Sequence, residues 1–292
     1  MKVDYRLQNI NQYLVGLTRN KYRHPVFCCF FYLSFSYPNQ GFTKKTNENE
    51  CPAHIIGGSD SYHGEFPYQL SFQLENRSFC AAFIIDKLYA VTAAHCTGIA
   101  DVTKLRLLFY VIFQLVAGDF VLSKNDTTEQ VRKVVAEIPH EKFDASTLEN
   151  DIALLKVDLP FHFNKYVGPV ILPTQGQVTE GCCVVTGWGY ITESGPKSDI
   201  LQKLTVPVVS DEKCRTYYGK NQIVDSMICA GYSEGGKDSC KGDSGGPLVC
   251  NGYVAGIVSW GRGCARENFP GVYTELAFFV DWIKRHVPQF TL

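Results

Sequence analysis

From about Ile55 onward the chain alternates short apolar runs, rich in Val, Ile, Tyr and Phe, with turn clusters of Gly, Pro, Asn and Ser. Short runs separated by turn residues in this way predict an all-β domain. The clearest pair is Pro247 to Cys250 and Tyr253 to Trp260, which flank Asn251-Gly252. That dipeptide suits a two-residue hairpin turn, where both central residues need positive φ. The period then changes. Leu276, Phe279, Val280, Ile283 and Val287 recur at helical spacing, so an amphipathic helix over about 276–287 is expected to close the fold. Upstream of Ile55, Val26 to Tyr37 is an apolar, aromatic run preceded by Lys21, Arg23 and His24. It reads as the core of a secretory signal behind an unusually long basic segment, and it is too short for an ordinary transmembrane helix. A start codon assigned too far upstream is the rival reading of residues 1–54.

Composition narrows the class. The chain has 292 residues and a formal net charge of -1, which gives no electrostatic bias toward nucleic acid or an anionic membrane. Twelve cysteines point to an oxidising, extracellular compartment. The adjacent pairs Cys28-Cys29 and Cys182-Cys183 do not read as a zinc site, because neighbouring strand side chains face opposite ways and no C-x-x-C spacing occurs.

The chemistry is concentrated in Gly242-Asp243-Ser244-Gly245-Gly246-Pro247. Average residue usage would produce this hexapeptide by chance in a chain of this length with odds on the order of 10⁻⁵. Glycines let a turn expose one side chain and aim neighbouring N–H groups at a common point, as an attacking hydroxyl and an oxyanion pocket both require. A serine hydroxyl is a weak nucleophile unless a histidine takes its proton and a third group orients that histidine. Upstream, Val91-Thr92-Ala93-Ala94-His95-Cys96 supplies a histidine among small residues, and Asn150-Asp151-Ile152-Ala153-Leu154-Leu155 supplies a carboxylate at the mouth of an apolar run. His24, His54, His63, His140, His162 and His286 have no such pattern, and a surface or structural place is the default for each.

The order His95, Asp151, Ser244 is that of the chymotrypsin arrangement, the standard template for this triad. Further motifs agree in order: Ile55-Ile56-Gly57-Gly58, Thr186-Gly187-Trp188-Gly189, Asp238-Ser239-Cys240, Ser259-Trp260-Gly261 and Pro270-Gly271-Val272-Tyr273. From Ile55 to the C-terminus the sequence therefore resembles a chymotrypsin-family serine protease of the trypsin branch. Gly64 to Ser71 is phrased like arthropod digestive trypsins. The resemblance implies two packed antiparallel six-stranded β-barrels, about 55–170 and 171–275, with a terminal helix and the active site in the cleft between the barrels. It implies a secreted, monomeric endopeptidase of the extracellular space or digestive lumen. The enzyme would act on protein or peptide substrates, meet protein inhibitors, and need no cofactor for bond cleavage.

Residue by residue, the resemblance implies a Ser244 nucleophile, His95 as base, Asp151 as its orienting acid, and an oxyanion hole from the N–H groups of Gly242 and Ser244. It puts Asp238 at the base of the specificity pocket, with Ser239 beside it and Gly261 and Gly271 as open walls. Ser259, Trp260 and Gly261 form the strand edge that pairs with substrate. A carboxylate in a slot of low dielectric selects a cation, so cleavage after Arg or Lys is expected. Lys241 falls at the cleft rim, where it either disfavours basic residues beyond the scissile bond or faces water. Four bridges are implied: Cys80–Cys96, Cys183–Cys250, Cys214–Cys229 and Cys240–Cys264. Cys28, Cys29, Cys51 and Cys182 remain unassigned. Cys51 occupies a propeptide-like position, but Ile171 stands at the matching partner position, which leaves its tether without a mate.

Cleavage before Ile55 would free an amino group to pair with Asp243, a switch that does not exist until the backbone is cut. The preceding residue is His54, so an activating protease of another specificity is expected. Leu105 to Phe113 has no counterpart in the family pattern, and the interval from His95 to Asp151 is longer than that pattern. Asp119, Asp126 and Glu129 fall in a loop that binds calcium in some members, and their oxygen ligands suit a hard cation; a solvated acidic loop is the alternative. Asn76-Arg77-Ser78 and Asn125-Asp126-Thr127 are glycosylation sequons that matter for a secreted chain. The rival from another class is a catalytically silent homologue acting as a binding module, against which the complete triad argues. The rival among enzymes is chymotrypsin-like or collagen-cleaving specificity, which a neutral residue at position 238 would favour.

Overall fold

Thirteen strands (β1–β13) build two barrels in the computed structural model, which describes residue 51 and residues 58–98 and 112–287. The first barrel closes as β2-β3-β4-β7-β6-β5, from Gln69–Leu74 (β2), Arg77–Ile84 (β3), Tyr89–Thr92 (β4), Phe113–Ala117 (β5), Gln130–Pro139 (β6) and Ala153–Val157 (β7). The second comprises Cys182–Gly187 (β8), Gln202–Val209 (β9), Met227–Ala230 (β10), Pro247–Cys250 (β11), Tyr253–Trp260 (β12) and Gly271–Glu275 (β13). It runs β9-β10-β13-β12-β11-β8 and closes through a β9–β8 pairing. All these ladders are antiparallel. Ser59–Asp60 (β1) pairs with β9, so the chain entering from the N-terminal side first joins the second barrel and only then builds the first.

Closure explains the weak local signal of the strands. Alternate side chains point into a barrel, and the inward set here is Leu, Val, Ile and Phe: Leu70, Phe72, Phe83, Leu115 and Leu154 are fully buried. The β11–β12 hairpin turns at Asn251-Gly252 with φ of 51° and 86°, the left-handed pair that such a turn requires. The C-terminal segment forms a 3₁₀ turn, Leu276–Phe278, and then α2, Val280–His286. Leu276, Phe279, Val280, Ile283 and Val287 are all buried. Leu276, Phe279, Ile283 and Val287 belong to the same apolar cluster as the interior of the first barrel, so the helix caps that barrel although it follows the second in sequence. A second helix, α1, spans Asp211–Tyr218 and is capped at its start by Ser210 Oγ accepting from Lys213 N.

Among the described residues five disulfides are formed, one more than the resemblance implies: Cys80–Cys96, Cys183–Cys250, Cys214–Cys229 and Cys240–Cys264, and in addition Cys51–Cys182. Cys51 is therefore tethered to the second barrel after all, with a partner other than position 171. Strand register explains it. Cys183 pairs across the ladder with Cys250 and is fully buried, so its neighbour Cys182 faces the other side of β8, where Cys51 reaches it. Ile171 is instead an exposed residue bridged to Tyr253. Cys28, Cys29, the run Val26 to Tyr37, Ile55, and Leu105 to Val111 lie outside the described residues.

Candidate active site

His95 lies in a 3₁₀ turn, Ala94–Cys96, that leaves β4, and the Cys80–Cys96 bridge ties this turn to β3. Asp151 lies just before β7 and is fully buried. Its carboxylate is saturated with donors: Oδ2 accepts from His95 Nδ1 at 2.7 Å and from Ser259 Oγ at 2.6 Å, and Oδ1 accepts from His95 N at 2.8 Å. Its carbonyl accepts from Thr274 Oγ1 at 2.9 Å. A buried carboxylate is tolerable only with such partners. A proton on Nδ1 satisfies the contact with Asp151 and leaves His95 Nε2 as the basic nitrogen.

Ser244 is brought to this pair through its backbone. Its carbonyl accepts from Ala81 N at 2.8 Å and lies 3.7 Å from Cys96 Sγ, so the turn rests on the bridge that holds His95. Among the described residues the Ser244 hydroxyl makes no hydrogen bond, and neither do the N–H groups of Gly242 and Ser244. Gly242 has φ of 96°, and a Cβ there would lie 3.1 Å from Gly189 Cα, so the turn requires glycine. Asp243 anchors it: Oδ1 accepts from Gly189 N at 2.7 Å and Oδ2 from Cys240 N at 3.0 Å. Burial pushes the Asp243 carboxyl up to about 6, opposed by those two amides and by Lys197. A small cavity of about 50 Å³ adjoins it, with Gly58, Gly187 and Gly189 among its walls.

A second cavity of about 160 Å³ opens beside Ser244, lined by Asp238, Ser239, Ser259, Trp260, Gly261 and Gly271. Asp238 Oδ2 accepts from Ala265 N at 3.1 Å, whereas among the described residues Oδ1 is buried without a partner. Burial pushes this carboxyl up to about 7. Ser239 Oγ bonds Tyr273 Oη at 3.2 Å. A Cβ at Gly271 would lie 2.7 Å from Asp238 Oδ1 and one at Gly261 3.3 Å from Gly263 O, so a side chain at either position would crowd the slot. Tyr218 Oη donates to Pro270 O at 2.6 Å and braces one wall.

Sequence reasoning missed Thr274, Glu193 and the second role of Ser259. Thr274 supports Asp151 from 123 positions away, and Ser259 turns its hydroxyl to Asp151 as well as contributing to the pocket. Glu193 also lines the pocket, held by Arg266 Nη2 at 2.7 Å. Thr274 and Glu193 carry no local signal, because each acts through a partner far along the chain, and the same distance hides the bond from Ser259 to Asp151 although Ser259 itself is legible in its motif.

Asp119, Asp126 and Glu129 also converge, with ligand oxygens within 4.8 Å of one another. Asp126 Oδ2 accepts from the N–H groups of Phe120 and Val121, and Glu129 Oε1 from Asp126 N. Among the described residues Asp119 Oδ1 is buried without a partner, and burial, then Glu129, Asp126 and Asp199, push its carboxyl up to about 7.

Two closed antiparallel barrels whose loops carry His95, Asp151 and Ser244 match the architecture of the serine endopeptidase class of hydrolases. Comparison with known proteins is specific. The trypsin family model matches residues 55–283. Trypsin-1 of Astacus astacus is 51% identical over 238 residues, 79% of this chain and 98% of the crayfish protein. Trypsin of Sus scrofa is 40% identical over 234 residues, 80% and 95% of the two chains, and trypsin eta of Drosophila melanogaster 40% over 244 residues, 81% and 89%. The chain belongs to the trypsin family. It is a trypsin-like serine endopeptidase, whose chemistry needs no cofactor.

Proposed function

We propose that the protein is a secreted digestive-type endopeptidase, made as a zymogen, that cleaves after Arg or Lys through Ser244, His95 and Asp151. The observation that carries the specificity is the unpartnered, buried Asp238 Oδ1 at the wall of the pocket beside Ser244. A guanidinium or ammonium supplies the missing donor and stabilises the ionised carboxylate. With substrate seated, His95 takes the Ser244 proton as Oγ attacks the carbonyl carbon, and then delivers that proton to the leaving amine. Asp151 keeps the imidazole in one orientation and stabilises its charged form. The developing oxyanion takes the free N–H groups of Gly242 and Ser244; one such donor contributes about 2.7–4 kcal/mol. Water repeats the sequence on the acyl-enzyme. Tests use protein beginning at Ile55 and matched Arg, Lys and Phe peptide esters. Arg and Lys esters are expected to be cleaved well and Phe esters poorly; preference for Phe would assign chymotrypsin-like specificity, and no turnover by folded protein a silent homologue.

Activation follows the same reading. The amino group of Ile55, once cut free, pairs with Asp243, whose carboxyl lies between amide donors beside a small cavity. Full-length protein is expected to be at least about 100-fold less active than protein starting at Ile55, the scale set by loss of a buried ion-pair partner. Because His54 precedes the cut, added active enzyme does not activate the precursor, whereas a protease of other specificity does. N-terminal sequencing of the active species checks this: a start at Met1 would refute it. The Cys51–Cys182 bridge keeps the cleaved propeptide attached to the second barrel, so the two pieces separate only on reduction.

Calcium is the cation that Asp119, Asp126 and Glu129 would hold, as oxygen ligands suit it and Asp119 Oδ1 lacks a partner. At free calcium about 100 times Kd the native state gains about 2.7 kcal/mol, or about 5–10 °C in Tm for a domain of this size. Without the ion, a folded-state carboxyl raised to about 7 binds its proton more tightly folded than unfolded, so stability falls as pH rises from about 4 to 7. Calcium is expected to remove that fall. Thermal melts at pH 5 and 8, with EDTA or calcium, measure both; identical melts would leave the cluster a solvated acidic loop.

A further inference from the structure

Lys197 lies against the turn at Gly242 and is not among the residues that line the specificity pocket. A Cβ at Gly242 would be 3.2 Å from Lys197 Cε and 3.5 Å from its Nζ. The ammonium reaches across to the first barrel, 3.4 Å from the carbonyl of Ser78 on β3, two residues before Cys80 and its bridge to the His95 turn. Neither Lys197 nor Ser78 lines the pocket that holds Asp238. A substrate whose Arg or Lys enters that pocket, and whose acyl side follows Ser259 to Gly261, leaves the cleft past Gly242 in the opposite direction. Its first residues beyond the scissile bond then pass Lys197. Lys241, exposed and adjacent to Gly242, adds a second ammonium at the mouth of the pocket beside Ser244.

Among the described residues Lys197 forms no ion pair with a carboxylate, and its contact with Ser78 is a long one. Asp243, an acid that feels its charge, is committed to the amides of Gly189 and Cys240. The ammonium is thus left to a ligand. We propose that Lys197, assisted by Lys241, makes this enzyme select Asp or Glu over Lys or Arg in the first two positions after the cleaved bond. The inference rests on the proposed triad and pocket, and it names the second half of the substrate those groups accept: a basic residue followed by acidic ones. Two exposed cations act by attraction of acid and by repulsion of base, so the preference is screened by salt.

The test uses protein beginning at Ile55 and quenched peptides identical except for Glu, Gln or Lys at the first and second positions after a single Arg. At low salt kcat/KM for Glu is expected to exceed that for Lys by about five- to ten-fold, the sum of two exposed charge contacts. The ratio should fall toward one in 1 M salt. Lys197→Gln should lower it to about two- to three-fold, Lys197→Glu should reverse it, and Lys197→Arg should retain it. An equal rate for Glu and Lys, or a ratio that Lys197→Glu leaves unchanged, would overturn the proposal. An Arg ester, which carries no residue beyond the bond, is measured alongside. Ester turnover with a flat peptide ratio rejects the selectivity alone, whereas absence of ester turnover rejects the underlying triad and pocket reading and the selectivity with it.

Discussion

Ser244→Ala is expected to reduce kcat on an Arg ester by about 10⁶-fold, the scale seen when the nucleophile of such a triad is removed. The loss exceeds that of any single hydrogen bond because the substitution removes the covalent route itself. The residue left behind still offers the free N–H groups of positions 242 and 244, so turnover of about 10³–10⁴ over water should remain. Stability should change by less than about 0.5 kcal/mol, since the Ser244 hydroxyl has no hydrogen-bond partner among the described residues. The backbone bond to Ala81 that holds the turn is untouched. His95→Ala should cost about as much, and the double variant little more, as expected of groups that act as a unit. Active-site titration with a burst-forming ester, beside a thermal melt of the same sample, measures all of this. A Ser244→Ala protein that keeps more than a percent of the wild-type rate would assign the reaction to another nucleophile.

The second large effect is at the pocket. Asp238→Asn keeps the volume of the side chain and removes its charge, leaving a substrate cation desolvated and unpaired. Breaking a buried pair in this way costs about 3–5 kcal/mol, so kcat/KM for Arg and Lys esters should fall by about 200- to 5,000-fold. A Phe ester, which gains nothing from the carboxylate, should be cleaved at least as well as before. The wild-type enzyme carries a pH signature of the same origin. Burial pushes the Asp238 carboxyl up to about 7 in the free pocket, and a bound cation pulls it down. As pH falls below about 7, protonation competes with substrate, and KM for Arg esters should rise by up to tenfold per pH unit. KM for a Phe ester should not follow. Parallel profiles for the two esters would show that Asp238 does not meet the substrate side chain.

Several parts of this molecule are legible without coordinates, and each is local. The Asn251-Gly252 hairpin follows from the φ requirement of two adjacent residues, and the terminal helix from apolar spacing over three turns. The glycine-rich turn at Ser244 follows from which residues tolerate the backbone it needs. The disulfide pattern was only partly legible. Four pairs came by likeness to the family, and the fifth depended on the register of β8, which turns Cys183 inward to Cys250 and Cys182 outward to Cys51. A one-residue slip would exchange the two faces, and nothing within a few residues of Cys182 announces which register wins.

The amino-acid sequence by itself determined the alternation that makes strands, the turns that join them, and the small-residue settings of His95, Asp151 and Ser244. These depend on neighbours within one turn or one hairpin, where sterics and hydrogen bonding act directly. Tertiary structure alone decided that Ser259 and Thr274, 108 and 123 positions from Asp151, would satisfy its carboxylate and carbonyl, and that the terminal helix would cap the first barrel. It also decided that Lys197 would cross from one barrel to the other beside Gly242. Such contacts form only after distant segments have closed their loops, at an entropic cost that rises slowly with separation and leaves no periodicity behind. Barrel closure, which buries alternate side chains and brings the loop ends of two barrels to one cleft, selects them.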